Sequence, residues 1–226
     1  MADYQPRVEA PVTAKVCLSD YLLLIYSQVP QAYIICVFAA FGGILYGFDS
    51  GYIGGVQNMD AFIQKFGQAS ATSPTGYILP SSHASLIVSI LSAGTFFGAL
   101  SAGYFNEVLG RRISIIAACG VFCFGVILQT AAVNLAMLVV GRFIAGLGMG
   151  VVSSTAILYM SELAPKKIRG AIVSGYQFAI TIGLLLAAVT TNYTSTRVGE
   201  SAYRIPIAIQ FIPSSLLVSK SSLFNF

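Results

Sequence analysis

LAMLVVGRFIAGLGMGVVSSTAILYM, from Leu135 to Met160, runs for 26 residues with a single charge, Arg142. An α-helix rises about 1.5 Å per residue, so about 20 mostly apolar residues cross ~30 Å of hydrocarbon. The stretch therefore predicts a membrane-crossing helix. Four others meet the same length: Tyr33 to Val56, Ser85 to Phe105, Ile113 to Thr130 and Ala171 to Thr190. A sixth begins near Ile205, but its apolar run to Val218 is only about 14 residues, roughly 21 Å at that rise, and contains Pro213. The expected fold class is an all-α polytopic membrane protein with an incomplete sixth helix.

Composition agrees. A chain that is 56% hydrophobic and 9% charged, with a mean hydropathy of +0.81, has too few charges to coat a water-soluble globule. The net charge of +4 sits in short clusters between apolar runs rather than along a polar face, which argues for topology and against nucleic acid. Cys17, Cys36, Cys119 and Cys123 lack paired metal spacing, and three of them fall in apolar segments, where a thiol is a small hydrophobe. No metal or cofactor is implied. Neither H-E-x-x-H, G-x-S-x-G nor paired intramembrane carboxylates occur, and His83 reads as a loop residue, so an intramembrane enzyme is not expected.

The expected organisation is a cytoplasmic amino-terminal segment over residues 1–32, a helical bundle over 33–218 and an atypical tail over 219–226. The first segment lacks the pattern of a cleaved leader, so the first span should double as the targeting signal. With the amino terminus cytoplasmic, that side holds Arg7, Lys15, Arg111, Arg112, Lys166, Lys167 and Arg169, against Lys65, Arg197 and Arg204 outside. This asymmetry favours that orientation. A polar stretch, Gln57 to His83, joins the first two spans, and the sequon Asn192-Tyr193-Thr194 abuts the fifth span too closely for ready glycosylation.

Small residues recur every fourth position on two helices: Gly43, Gly47, Gly51 and Gly55 on the first, and Ala171, Gly175, Ala179, Gly183 and Ala187 on the fifth. Such stripes let helices approach closely where lipid supplies no hydrophobic drive.

Four polar groups in or beside the spans call for an account: Asp49, Arg142, Gln177 and Glu162. Asp49 lies about seven residues before the outer end of its helix and Arg142 about seven after the outer start of its own, so each sits roughly 10 Å deep. A lone charge there costs at least about 2.5–3.5 kcal/mol, which pairing relieves. If the helices form two inverted three-helix repeats, the first and fourth face one another across the repeat axis. A carboxylate that exchanges its arginine partner for a proton would couple protonation to conformation. A fixed ion pair is the alternative, as is an Arg142 that reaches outward. Gln177 shares a face with Thr181 and suits either a sugar hydroxyl or an interhelical hydrogen bond. Glu162, ahead of Lys166, Lys167 and Arg169, either latches helix ends or anchors the surface.

GRFIAGLGMG from Gly141, then YMSELAP from Tyr159 to Pro165 and Arg169-Gly170, resembles the sugar-porter signature of the major facilitator superfamily. GFDSG around Asp49, GRR at Gly110 to Arg112 and YQFAITIG at Tyr176 to Gly183 agree, most closely with fungal-type hexose porters, over roughly Tyr33 to Gln210. The resemblance implies the amino-terminal six-helix half of a proton-coupled monosaccharide carrier. It assigns proton coupling to Asp49 and Arg142, sugar contact to Gln177, and pocket lining to Tyr46 and Leu184, where the family commonly has phenylalanine and isoleucine. It also assigns a cytoplasmic salt-bridge latch to Glu162, Arg169, Arg111 and Arg112.

Two departures stand out. The family's D-R-x-G-R-R loop is Glu107-Val108-Leu109-Gly110-Arg111-Arg112 here, which weakens the latch assignment, and the family's P-E-S-P-R ending of this half is replaced by Ser219 to Phe226. The expected partners are a hexose-like monosaccharide, a proton, the lipid bilayer and a second transporter half or a full-length relative. The expected location is the plasma membrane. Because alternating access rocks one half against another, these residues are expected to be a truncated carrier, inactive alone. The alternative is a non-transporting half that associates with full-length transporters and modulates them.

Overall fold

The computed structural model describes residues 41–69, 76–163, 169–196, 199 and 201–223. The amino-terminal segment expected to be cytoplasmic, the start of the first span and the end of the tail lie outside them. In chain order the elements are α1 over residues 41–56, α2 (Asp60–Phe66), a two-residue hairpin of β1 (Gln68–Ala69) and β2 (Tyr77–Ile78), α3 (Ser81–Val108), α4 (Gly110–Thr130), α5 (Leu135–Leu163), α6 (Arg169–Ser195), α7 (Ser201–Ile209) and α8 (Phe211–Leu223). Among the described residues four helices are long and apolar enough to cross a bilayer: Ser81–Val108, Ile113–Thr130, Leu135–Glu162 and Ile172–Ser195. Each coincides with an expected span.

The glycine stripes explain how the helices meet. A Cβ on Gly47 would strike the Ile180 carbonyl of α6, and one on Gly183 would come within 3.1 Å of the Gly47 Cα, so α1 and α6 cross backbone to backbone. The pair α3 and α5 repeats the arrangement, with Gly94 facing Gly146 and Gly98 facing Gly150. Two equivalent glycine crossings are what inverted repeats produce when first is matched to fourth and second to fifth. Gly175, expected in the α6 stripe, meets nothing within 4 Å among the described residues. The α1–α6 contact lies along Tyr176, Ile180, Gly183, Leu184, Ala187 and Thr191, a line that leaves Gly175 aside. Helix α5 sits at the centre, held between α3 and α4, while α4 also packs against α7 and α8.

Several expectations shift. The turn between α3 and α4 is one residue long, because Gly110 at φ 78° reverses the chain where a side chain would be strained. His83 stands in the first turn of α3, not in a loop. The stretch before it is folded: Phe62 and Phe66 of α2 pack edge-on to Tyr203, with ring centroids 5.9 and 6.2 Å apart. The sequon is helical, and the buried Thr194 hydroxyl donates back to the Thr190 carbonyl at 2.9 Å. The sixth segment is helical from Ser201 to Leu223 but broken at Gln210. Pro213 has no N–H for the Ile209 carbonyl and its ring crowds that oxygen, so the ladder stops and α8 restarts with the proline in its first turn. Helical structure thus outruns the apolar stretch Ala202–Val218, which alone is short for a crossing.

Candidate functional site

Five polar side chains from four helical regions meet in the apolar interior. Asp49 and Tyr52 come from α1, Gln129 from α4, Arg142 from α5 and Gln210 from the break between α7 and α8; all five are buried, Arg142 completely. They converge because α1 and α5 face each other inside the bundle, while Gln210 belongs to the buried stripe Tyr203, Ile207, Gln210, Ser214 and Leu217 that the sixth segment turns to the interior.

Three hydrogen bonds run through the cluster. The Gln210 Nε2 amide donates to Asp49 Oδ1 at 3.2 Å. The Tyr52 hydroxyl donates to Gln129 Oε1 at 2.7 Å, and Gln129 Nε2 reaches the Gly141 carbonyl at 3.4 Å. Arg142 lies over the Tyr52 ring, its Cζ 5.3 Å from the centroid, which stabilises a desolvated cation by up to about 2 kcal/mol.

Asp49 and Arg142 interact electrostatically, yet no direct ion pair joins them. None of the three guanidinium nitrogens has a hydrogen-bond partner, nor does Asp49 Oδ2. The expected pair is therefore brought together but stands apart, since Gln210 occupies one carboxylate oxygen and the Tyr52 ring holds the cation. A buried guanidinium without acceptors is costly by several kcal/mol. The pocket thus holds an acid and a base in one low-dielectric interior, with a neutral group engaging each.

The expected sugar-contact residues lie along the α1–α6 crossing. Gln177 is exposed on α6 beside Tyr176, which packs on Gly43, while Leu184 is exposed and reaches Gly51. Tyr46 is half-buried against the core on α1. The Gln177 backbone carbonyl accepts from the Thr181 hydroxyl at 3.1 Å, and no described residue bonds the Gln177 side chain. Its amide is thus open to the unoccupied side of the bundle, not engaged between described helices.

At the far end, Arg111 Nη2 meets Glu162 Oε1 at 2.7 Å, joining the start of α4 to the end of α5. The side chains of Arg112 and Arg169, the other expected latch residues, lie outside the described residues.

Sequence reasoning singled out Asp49 and Arg142 but missed Tyr52, Gln129 and Gln210. Each of the two amides interrupts an apolar run, and an amide in hydrocarbon needs partners as much as a charge does.

The profile of the family described as Sugar (and other) transporter matches residues 35–223. The chain belongs to that family. The match makes it a multi-pass membrane protein of the major facilitator superfamily, and members of this family are transporters, not enzymes. Among similar proteins, the major facilitator-type transporter ecdD of Aspergillus rugulosus is 51% identical over 187 residues, spanning 83% of this chain and 35% of ecdD. The high glucose sensor RGT2 of Saccharomyces cerevisiae is 40% identical over 185 residues, covering 81% of this chain and 24% of RGT2. The proton:xylose symporter XylE, solved with 6-bromo-6-deoxy-D-glucose, superposes with a TM-score of 0.76 at 25% identity over 88% of this chain and 46% of XylE. The chain thus spans about a quarter to a half of the proteins it matches.

Proposed function

We propose that these residues form the proton-binding half of a proton-coupled monosaccharide carrier, with the amino terminus cytoplasmic and the plasma membrane as its location. The observation that carries the reading is the Asp49–Arg142 pocket. A buried acid within electrostatic reach of a buried, unbonded cation has two low-energy arrangements, either a closed ion pair or a neutral protonated acid with the cation parked elsewhere. Switching between them takes up or releases one proton, as coupling requires. Gln177, Tyr46 and Leu184 offer the sugar one amide and two mainly apolar surfaces on the open side of α1 and α6. Arg111 and Glu162, with Arg112 and Arg169 nearby in sequence, act as the cytoplasmic latch. Support for a monosaccharide and a proton as substrates comes from the likeness to XylE.

Rocking needs two halves, so these residues transport only with a second six-helix half in place. In proteoliposomes, residues 1–226 alone are expected to show no saturable hexose uptake, and adding the carboxyl-terminal half of a relative is expected to produce it under an inward proton gradient. Saturable uptake by the 226 residues alone would contradict this dependence. Co-purification with a full-length relative whose uptake it alters, with no uptake in the complemented assay, would favour a modulating role instead.

A further inference from the structure

Two buried oxygens in the pocket lack partners: Asp49 Oδ2 and Gln210 Oε1. They belong to the same two side chains that already share the hydrogen bond from Gln210 Nε2 to Asp49 Oδ1. A carboxylate and a carboxamide joined through one N–H···O bond, with the second oxygen of each idle, can close an eight-membered ring through one atom shared by those two oxygens. That atom is a proton. We infer that Gln210 is a positioning residue for proton binding, forming a cyclic acid–amide pair with protonated Asp49 at the break in the sixth helix. This rests on the proton-coupling reading above and adds the group that receives the proton's hydrogen bond.

The step balances simply. A hydronium ion gives its proton to Asp49 Oδ2 and leaves as water; the new O–H then donates to Gln210 Oε1 while the amide N–H continues to donate to Oδ1. Both orphaned oxygens are satisfied and the carboxyl becomes neutral. Neutralisation removes the attraction on Arg142, which matches its position over Tyr52 instead of on the acid. The charged and titratable groups facing Asp49 are Arg142 from α5 and Tyr52 from its own helix. Along α6 Tyr176 packs against Gly43; α4 and the helix break contribute the neutral Gln129 and Gln210, with the Cys123 thiol of α4 held on Ser214 at 3.0 Å.

Deprotonation reverses the preference. The proton returns to water as hydronium, the carboxylate Oδ2 left behind is repelled by the amide oxygen and draws Arg142, and the guanidinium takes the proton's place as Gln210 withdraws. Because Gln210 is the residue between α7 and α8, that withdrawal is a movement at the break, where the interrupted backbone ladder resists least.

Infrared difference spectra of the full chain in lipid nanodiscs, acid minus alkaline, test this. The expected result is a carboxylic-acid C=O band that Asp49→Asn removes, at a lowered frequency that Gln210→Leu shifts upward. Should that variant fail to fold, wild-type protein carrying 13C-labelled glutamine serves: one side-chain amide band should shift on acidification, and Asp49→Asn should abolish the shift. An Asp49 band unmoved by Gln210→Leu, or a labelled amide band indifferent to pH, would overturn the acid–amide pair while leaving proton binding intact. Absence of any Asp49 band would overturn the proton-coupling reading itself.

Discussion

Tyr52 shows how much one side chain can hold in place. Its ring carries Arg142 and its hydroxyl is the donor to Gln129 Oε1, so the two functions can be separated by mutation. Tyr52→Phe keeps the ring but leaves a buried amide oxygen without its donor, which should lower stability by about 1–3 kcal/mol. Tyr52→Leu also removes the aromatic face, freeing Arg142 to close on Asp49, and should depress proton-driven uptake more than Tyr52→Phe does. Thermal unfolding in detergent and uptake at fixed proton gradient check the two effects. The two charges were legible in the sequence because an isolated Asp or Arg in a long apolar run is conspicuous. Their neutral partners were not, since Gln129 lies next to the end of its helix and Gln210 lies in a proline-containing segment whose apolar run is too short to read as a full span. Nor does sequence reveal that the opposite charges stand apart, which depends on the rotamers that Gln210 and Tyr52 impose.

At the scale of elements, the glycine stripes make opposed predictions. Gly183 meets backbone on α1, so Gly183→Val should destabilise by about 1–3 kcal/mol or more and reduce the yield of monodisperse protein. Gly175 has nothing within 4 Å among the described residues, so Gly175→Ala should be tolerated or stabilise by about 0.5–1 kcal/mol. Size-exclusion profiles and melting curves separate the outcomes; equal damage from both would mean α6 is rotated from its described face. The four-residue spacing announced that close contacts exist, yet spacing alone cannot fix which members of a stripe lie on the crossing line. The Arg111–Glu162 bridge belongs to this scale too. With side chains 32% and 52% exposed it is screened by water, and Glu162→Gln should change the melting free energy by less than about 1 kcal/mol. Any larger consequence should appear in gating, measured as the rate of opening towards the cytoplasm.

For the whole molecule, hydropathy made four of the spans and their order readable, because a bilayer imposes one length on every crossing. The folded stretch between α1 and α3 was harder to foresee, since its helix and hairpin are short and are held by packing of Phe62 and Phe66 on Tyr203 rather than by a long periodic pattern. Repeat symmetry then gives the pocket its meaning, as it sets the acid of α1 and the base of α5 in one chamber. If that chamber couples a proton to sugar movement, exchange and accumulation must come apart when the acid is lost. The direct measurement uses the chain complemented with a carboxyl-terminal half in proteoliposomes, comparing labelled hexose exchange with uphill accumulation under an inward proton gradient. The account predicts that Asp49→Asn retains exchange and loses accumulation; accumulation at the wild-type level in Asp49→Asn would contradict it.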